Sequence, residues 1–210
     1  RLEVTAFLAF SPHNPTGRVF DRDEMTFISS LAQEFSVLVV SDEIHAPLTH
    51  HGYEFIPYLT VSGDEPAVSV ISASKAWNIA GLKCAQVVSN SKKLHATLHE
   101  RIPLEVQHGA GHLGVLAAQA AYFEGVAWLD EMLTHLGDQS ELLRALLAEH
   151  LPLIELVQPQ ASYLAWLDCR ALNLDLDPAA FFMDRARVGL NSGPTFGPTG
   201  QGFARLNFAT

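Results

Sequence analysis

The chain has 210 residues, 48% hydrophobic and 17% charged, enough to bury a core in one large domain or two modest ones. Its 13 basic and 23 acidic residues give a net charge of −10 with no basic run, which argues against nucleic acid and anionic membrane as partners through bulk charge. No stretch reaches the roughly 18 apolar residues that span a bilayer, and Cys84 and Cys169 lie in strand-like runs without metal-ligand spacing, as buried thiols of a reducing cytosol do.

Residues 4–10 are an apolar run that reads as a buried strand, entering the tight polar turn Ser11-Pro12-His13-Asn14-Pro15-Thr16-Gly17. Asp21 followed by Glu24 is a capping box, opening a helix to about Phe35 with Met25, Ile28, Leu31 and Ala32 on one face. Residues 37–40, 67–72 and 84–88 read as further strands, and strands separated by helical patterns point to a parallel α/β sheet. Helices are expected over 91–100, over 112–124 and along the amphipathic stretch 126–151, where Gly137 is a candidate bend and Pro152 the stop. Strands near 155–157 and 163–168 follow, then a helix opened by Asp177-Pro178, then short strands at 188–191 and 203–208 around a Gly/Pro-rich loop. The expected organisation is a partial large domain over 1–125, a connecting helix over 126–151 and a small, incomplete α+β domain over 152–210. A chain that enters a strand directly after Arg1 and ends at Thr210 inside another strand-like run reads as a piece of a longer protein.

In parallel α/β sheets ligands gather at the carboxyl ends of the strands. Asn14, Asp42 and Lys75 all fall there. Lys75 lies in Ser72-Ala73-Ser74-Lys75, just past a strand, with Gly81-Leu82-Lys83 downstream. A lysine amine can form a Schiff base with an aldehyde, while hydroxyls and a second cation can grip a phosphate.

Asn14-Pro15-Thr16-Gly17, Asp42-Glu43-Ile44-His45, Ser72-x-Ser74-Lys75 and Gly81-Leu82-Lys83, in this order, resemble the class I/II aminotransferases, pyridoxal phosphate enzymes of fold type I. The resemblance covers essentially the whole chain and corresponds to about the second half of a family member. It implies an α/β large domain, mostly parallel in its sheet, followed by a small α+β domain. It also implies pyridoxal 5′-phosphate as cofactor, an amino acid substrate, a homodimer and a cytoplasmic location.

By that resemblance Lys75 carries the cofactor as a Schiff base and moves the substrate α-proton. Asp42 faces the pyridine nitrogen, Asn14 donates to the phenolic oxygen, and Ser72, Ser74 and Lys83 bind the phosphate. Lys83 stands where the family more often has arginine, and supplies charge without a fork. Arg205, in Gly202-Phe203-Ala204-Arg205-Leu206-Asn207, matches the arginine that binds the substrate carboxylate.

His45 replaces a tyrosine common in aminotransferases. Together with residues 161–168 and Gly193-Pro194-Thr195-Phe196-Gly197, it is similar to the bacterial cystathionine β-lyase (C–S lyase) branch. His45 either tunes the phenolic oxygen or fills space. His45, His50 and His51 lack the cysteine or carboxylate of a recognisable zinc spacing, so no metal is expected. The implied activity is β-elimination from S-substituted cysteines. The alternatives are an aminotransferase and an aminotransferase-like regulatory domain of a transcription regulator.

Overall fold

The computed structural model describes residues 4–209, so the readings attached to Arg1 and Thr210 lie outside the described residues. The chain divides into two units. The first comprises residues up to Pro12, Val19–Thr49 and Tyr53–Glu131; the second comprises His13–Arg18, His50–Gly52 and Met132 onward.

In the first unit, strand β1 (Ala6–Phe10) leads to helix α1 (Arg22–Phe35), whose Asp21–Glu24 capping box forms as expected. Strands β2 (Leu38–Asp42), β3 (Ala67–Ile71) and β4 (Gln86–Ser89) complete a sheet of order β1-β2-β3-β4. The β1–β2 and β2–β3 pairs are parallel, but β3–β4 is antiparallel. A parallel return needs a crossover, usually a helix. Residues 72–85 hold only turns and one 3-10 segment (Ala80–Leu82), and β4 runs back against β3, starting two residues later than expected. The β2–β3 crossover likewise has no α-helix, only the 3-10 segments Ala46–Leu48 and Tyr58–Thr60.

Met25 of α1 is fully buried against Ala9, Val39, Ile56, Tyr58 and Ala67, with Ile28 and Ala32 packed beside it. Burying one such side chain is worth about 2 kcal/mol, and this contact sets the helix on one face of the sheet. After β4 come helices α2 (Lys92–Arg101), α3 (Leu104–Gln107) and α4 (His112–Glu124).

Helix α5 (Val126–His150) runs unbroken from the first unit into the second, and Gly137 does not interrupt it. Its buried residues Leu133, Leu136, Ser140 and Leu147 all belong to the second unit. Ser140 sits in that apolar stripe because Gln158 Nε2 donates to its hydroxyl at 3.1 Å. The second unit continues with β5 (Glu155–Val157), β6 (Leu164–Asp168), α6 (Pro178–Ala186), β7 (Asn191–Ser192) and β8 (Phe203–Asn207). Its sheet has the order β5-β6-β8-β7 and is antiparallel throughout. Among the described residues no helix is long and apolar enough to cross a membrane.

Candidate active site

Each unit carries part of the set of polar residues singled out by the sequence. In the first, Lys75 lies in the turn after β3, and helix α4 builds the wall behind it. Ala118 and Ala121 pack with Ala73, Trp77, Ile79, Cys84 and Tyr122. Gly114, one turn earlier, lets the backbone of Leu82 come so close that a Cβ would lie 2.3 Å from its carbonyl oxygen. Trp77 donates its indole N–H to Gly125 O at 3.0 Å, pinning the turn to the carboxyl end of α4. Its ring meets Tyr122 edge-on, with centroids 5.3 Å apart. Trp77 had no role in the sequence reading; a bulky aromatic two residues past the lysine was the available signal.

Ser72 and Ser74 come together, their hydroxyls 2.8 Å apart. Ser72 Oγ donates to Cys84 O at 2.6 Å, which commits its one proton. It therefore accepts from Ser74 Oγ, and also from Ser74 N at 3.1 Å. Ser72 is a tie between the lysine turn and the start of β4, while the Ser74 proton can swing toward an anion. Lys83 is exposed and left-handed, with φ 51°. Among the described residues no hydrogen bond or ion pair engages the ammonium groups of Lys75 or Lys83.

Asp42 is the last residue of β2, in register with Phe10 on one side and Val70 on the other. Its Oδ1 accepts from Ile44 N at 3.1 Å, leaving Oδ2 without a donor among the described residues. The next residue, Glu43, is buried, and its Oε1 accepts from Tyr58 N and Ser69 Oγ, both at 2.9 Å. Glu43 thus ties the end of β2 to β3. Strand alternation separates the two carboxylates, and only tertiary contacts show which is structural. His45 is buried at the start of the 3-10 segment Ala46–Leu48.

The second unit holds Asn14 and Arg205. Asn14 lies in the turn 13–18, whose Asn14–Pro15 peptide bond is cis. Gln160 N and Ala161 N both donate to Gly17 O, at 2.9 and 3.0 Å. Gly17 has φ 69°, and a Cβ there would lie 2.7 Å from Pro159 Cβ, so glycine is required on both counts. His50 N donates to Gln160 O at 2.9 Å and His50 Nε2 to Ser162 O at 2.6 Å. Burial holds the His50 pKa below 6.5, against the pull of the Ser162 and Pro159 carbonyls. Among the described residues no group of three or more His, Cys, Asp or Glu is placed to hold a metal.

Arg205 Nη1 donates to Asn14 Oδ1 and its Nη2 to Asn191 Oδ1, each at 2.8 Å. The guanidinium lies 4.7 Å from the Phe196 ring centroid. Phe196 meets Trp166 edge-on, and Trp166 stacks on Phe203. Burial lowers the Arg205 pKa from its usual range and the nearby Tyr163 opposes this. Asn191 was missed in the sequence, because a side chain on a two-residue strand shows no pattern.

The sequence profile of the family "Aminotransferase class I and II" matches residues 2–210. A Mycobacterium tuberculosis protein named "Putative cystathionine beta-lyase" is 48% identical over 98% of this chain and 54% of its own length. The cystathionine beta-lyase PatB of Bacillus subtilis is 36% identical over 97% of this chain and 54% of its own. The solved structure of a PLP-bound C–S lyase from Staphylococcus hominis superposes with a TM-score of 0.88 at 32% identity, covering 98% of this chain and 54% of that one. The chain therefore spans about half the length of the curated relatives it matches. It belongs to the class I and II aminotransferase family.

Proposed function

We propose that the protein containing this chain is a pyridoxal phosphate-dependent C–S β-lyase, cleaving cystathionine or another S-substituted cysteine to thiol, pyruvate and ammonia. One observation carries the reading. The Lys75 turn, with its paired hydroxyls, follows β3, and Asp42 ends the neighbouring parallel strand with one carboxylate oxygen open. Relatives 34–48% identical and named for cystathionine beta-lyase support the reaction class.

The donor set suits this cofactor. Lys75 offers an uncommitted amine, Asp42 Oδ2 an open acceptor for the pyridine N–H, and Ser74 and Lys83 a mobile hydroxyl proton and a charge for the phosphate. The buried His45 belongs to the cofactor-binding set, and Ser72 serves it by accepting from Ser74 and holding the Cys84 carbonyl. A guanidinium only donates, so the Asn14 oxygen must face Arg205. The Asn14 N–H groups then point elsewhere and can donate to the phenolic oxygen.

When bound, pyridoxal phosphate supplies an electron sink for a carbanion at the substrate α-carbon. Lys75 takes the proton from that carbon, and Arg205 holds the α-carboxylate. The Cβ–S bond then breaks with its electron pair leaving on sulfur as thiolate.

A homodimer in the cytoplasm belongs to the same proposal. The free Cys84 and Cys169 and the exposure of Leu113 and Phe123 on α4 (69% and 82%) support it, and sedimentation of the full-length protein tests the dimer. For the activity, the test is to incubate the full-length protein with cystathionine and no keto acid. Thiol and pyruvate are expected; strict dependence on a keto acid acceptor would assign an aminotransferase instead.

A further inference from the structure

We infer that Asn191 is a positioning residue for Arg205, orienting its guanidinium so that one N–H on each terminal nitrogen is left for the substrate carboxylate. The inference rests on the proposed role of Arg205 and assigns to Asn191 a function in substrate selection.

Asn191 and Arg205 are directly opposed in the β7–β8 register, which places both side chains on the same face of the sheet. Asn191 itself is held from the other side. Ser192 Oγ donates to Asp177 Oδ2 at 2.9 Å, while Asp177 Oδ1 caps α6 through Ala179 N and Ala180 N. The loop that follows is closed backbone against backbone: a Cβ on Gly193 would lie 2.0 Å from Gly200 O. β7 thus has anchors independent of Arg205.

A guanidinium has five N–H donors. Asn14 and Asn191 take one from each terminal nitrogen, and the Nε–H is buried without a partner among the described residues. Two N–H groups remain, one on each end, the arrangement that forks a carboxylate. Both acceptors are neutral amides, so they fix the plane without cancelling the charge. Arg170, in the same unit, shows the contrast: it is paired with the Asp168 carboxylate. Among the described residues Arg205 has no such partner.

The test uses full-length holoenzyme, wild type, Asn191→Leu and Asn191→Asp. Each is given an S-substituted cysteine and the matching S-substituted cysteamine, which lacks the α-carboxylate. Asn191→Leu should raise the KM for the amino acid about 10-fold with kcat within about twofold, the size of one charge-assisted hydrogen bond. Asn191→Asp should raise it further, because its own charge would occupy the fork. Neither variant should change the response to the amine. Equal losses for both compounds, or an unchanged KM for the amino acid, would overturn the assignment. Asn191→Asp keeps the shape of the side chain and carries the test if the leucine variant does not fold. Dissociation constants for both compounds, read from cofactor absorbance, give the same contrast without turnover. A wild type that releases no thiol therefore refutes the lyase reading while the binding contrast still decides Asn191, and a wild type that does not prefer the amino acid over the amine overturns it.

Discussion

Ser72 and Ser74 differ by two positions and by one proton. The Ser72 proton is committed to Cys84 O, whereas Ser74 lends its proton to Ser72 and can redirect it. Ser74→Ala should therefore weaken pyridoxal phosphate binding by the full-length protein several-fold, at a cost of about 1 kcal/mol or more, and leave thermal stability nearly unchanged. Ser72→Ala should lower the melting temperature as well, because the Cys84 carbonyl loses its donor. Equal melting temperatures for the two variants would refute this division of labour. His50 has a pH signature. Its folded pKa is depressed below 6.5, so between the two values the unfolded chain binds more protons. The stabilisation is complete above about pH 6.5 and is lost as pH falls through the folded value. His50→Gln keeps an N–H for Ser162 O and cannot titrate in this range. Melting curves from pH 7 to 5 should show a shallower acid decline for it than for wild type.

Helix α4 shows how an element with no chemistry of its own sets the site. Gly114, Ala118 and Ala121 are buried on it, and the small side chains let the lysine turn lie directly on the helix. Gly114→Val would drive a side chain into the Leu82 carbonyl, which has no flexible atoms to yield. The expected cost is about 1–3 kcal/mol of stability. Because Leu82 and Lys83 are displaced together, pyridoxal phosphate affinity should fall as well. Gly137→Ala on α5, where nothing lies within 4 Å of the added Cβ, is the control and should stabilise slightly. Helices α1, α4 and α5 match the sequence reading closely. The direction of β4 did not follow from its sequence, because the residues of a short apolar strand do not encode which way it pairs.

On the scale of the whole chain, the first unit leaves much apolar surface bare. Phe7 and Leu8 of edge strand β1 are 45% and 53% exposed, and Val87 and Val88 of β4, the other edge, are also exposed. The chain spans 54% of the length of its cystathionine beta-lyase relatives. We expect the 210-residue chain alone to associate through these edges and to bind pyridoxal phosphate poorly, while the full-length protein binds it well. Borohydride trapping followed by peptide mapping checks this. Lys75 should be labelled in the full-length protein and only weakly in the isolated chain; equal labelling would mean that this half suffices for the cofactor.

The sequence by itself determined the α/β class, the main helices with their caps, and the order of the polar motifs carrying Asn14, Asp42, Lys75 and Arg205. Those features are local: a capping box, a 3.6-residue period and a tight turn are each written in a few adjacent residues. Only the tertiary structure separated Asp42 from Glu43 and Ser74 from Ser72, reversed β4, and set Asn191 against Arg205. Each of these depends on a hydrogen bond or a strand pairing between residues distant in the chain, and neither partner's local sequence specifies where the other will lie.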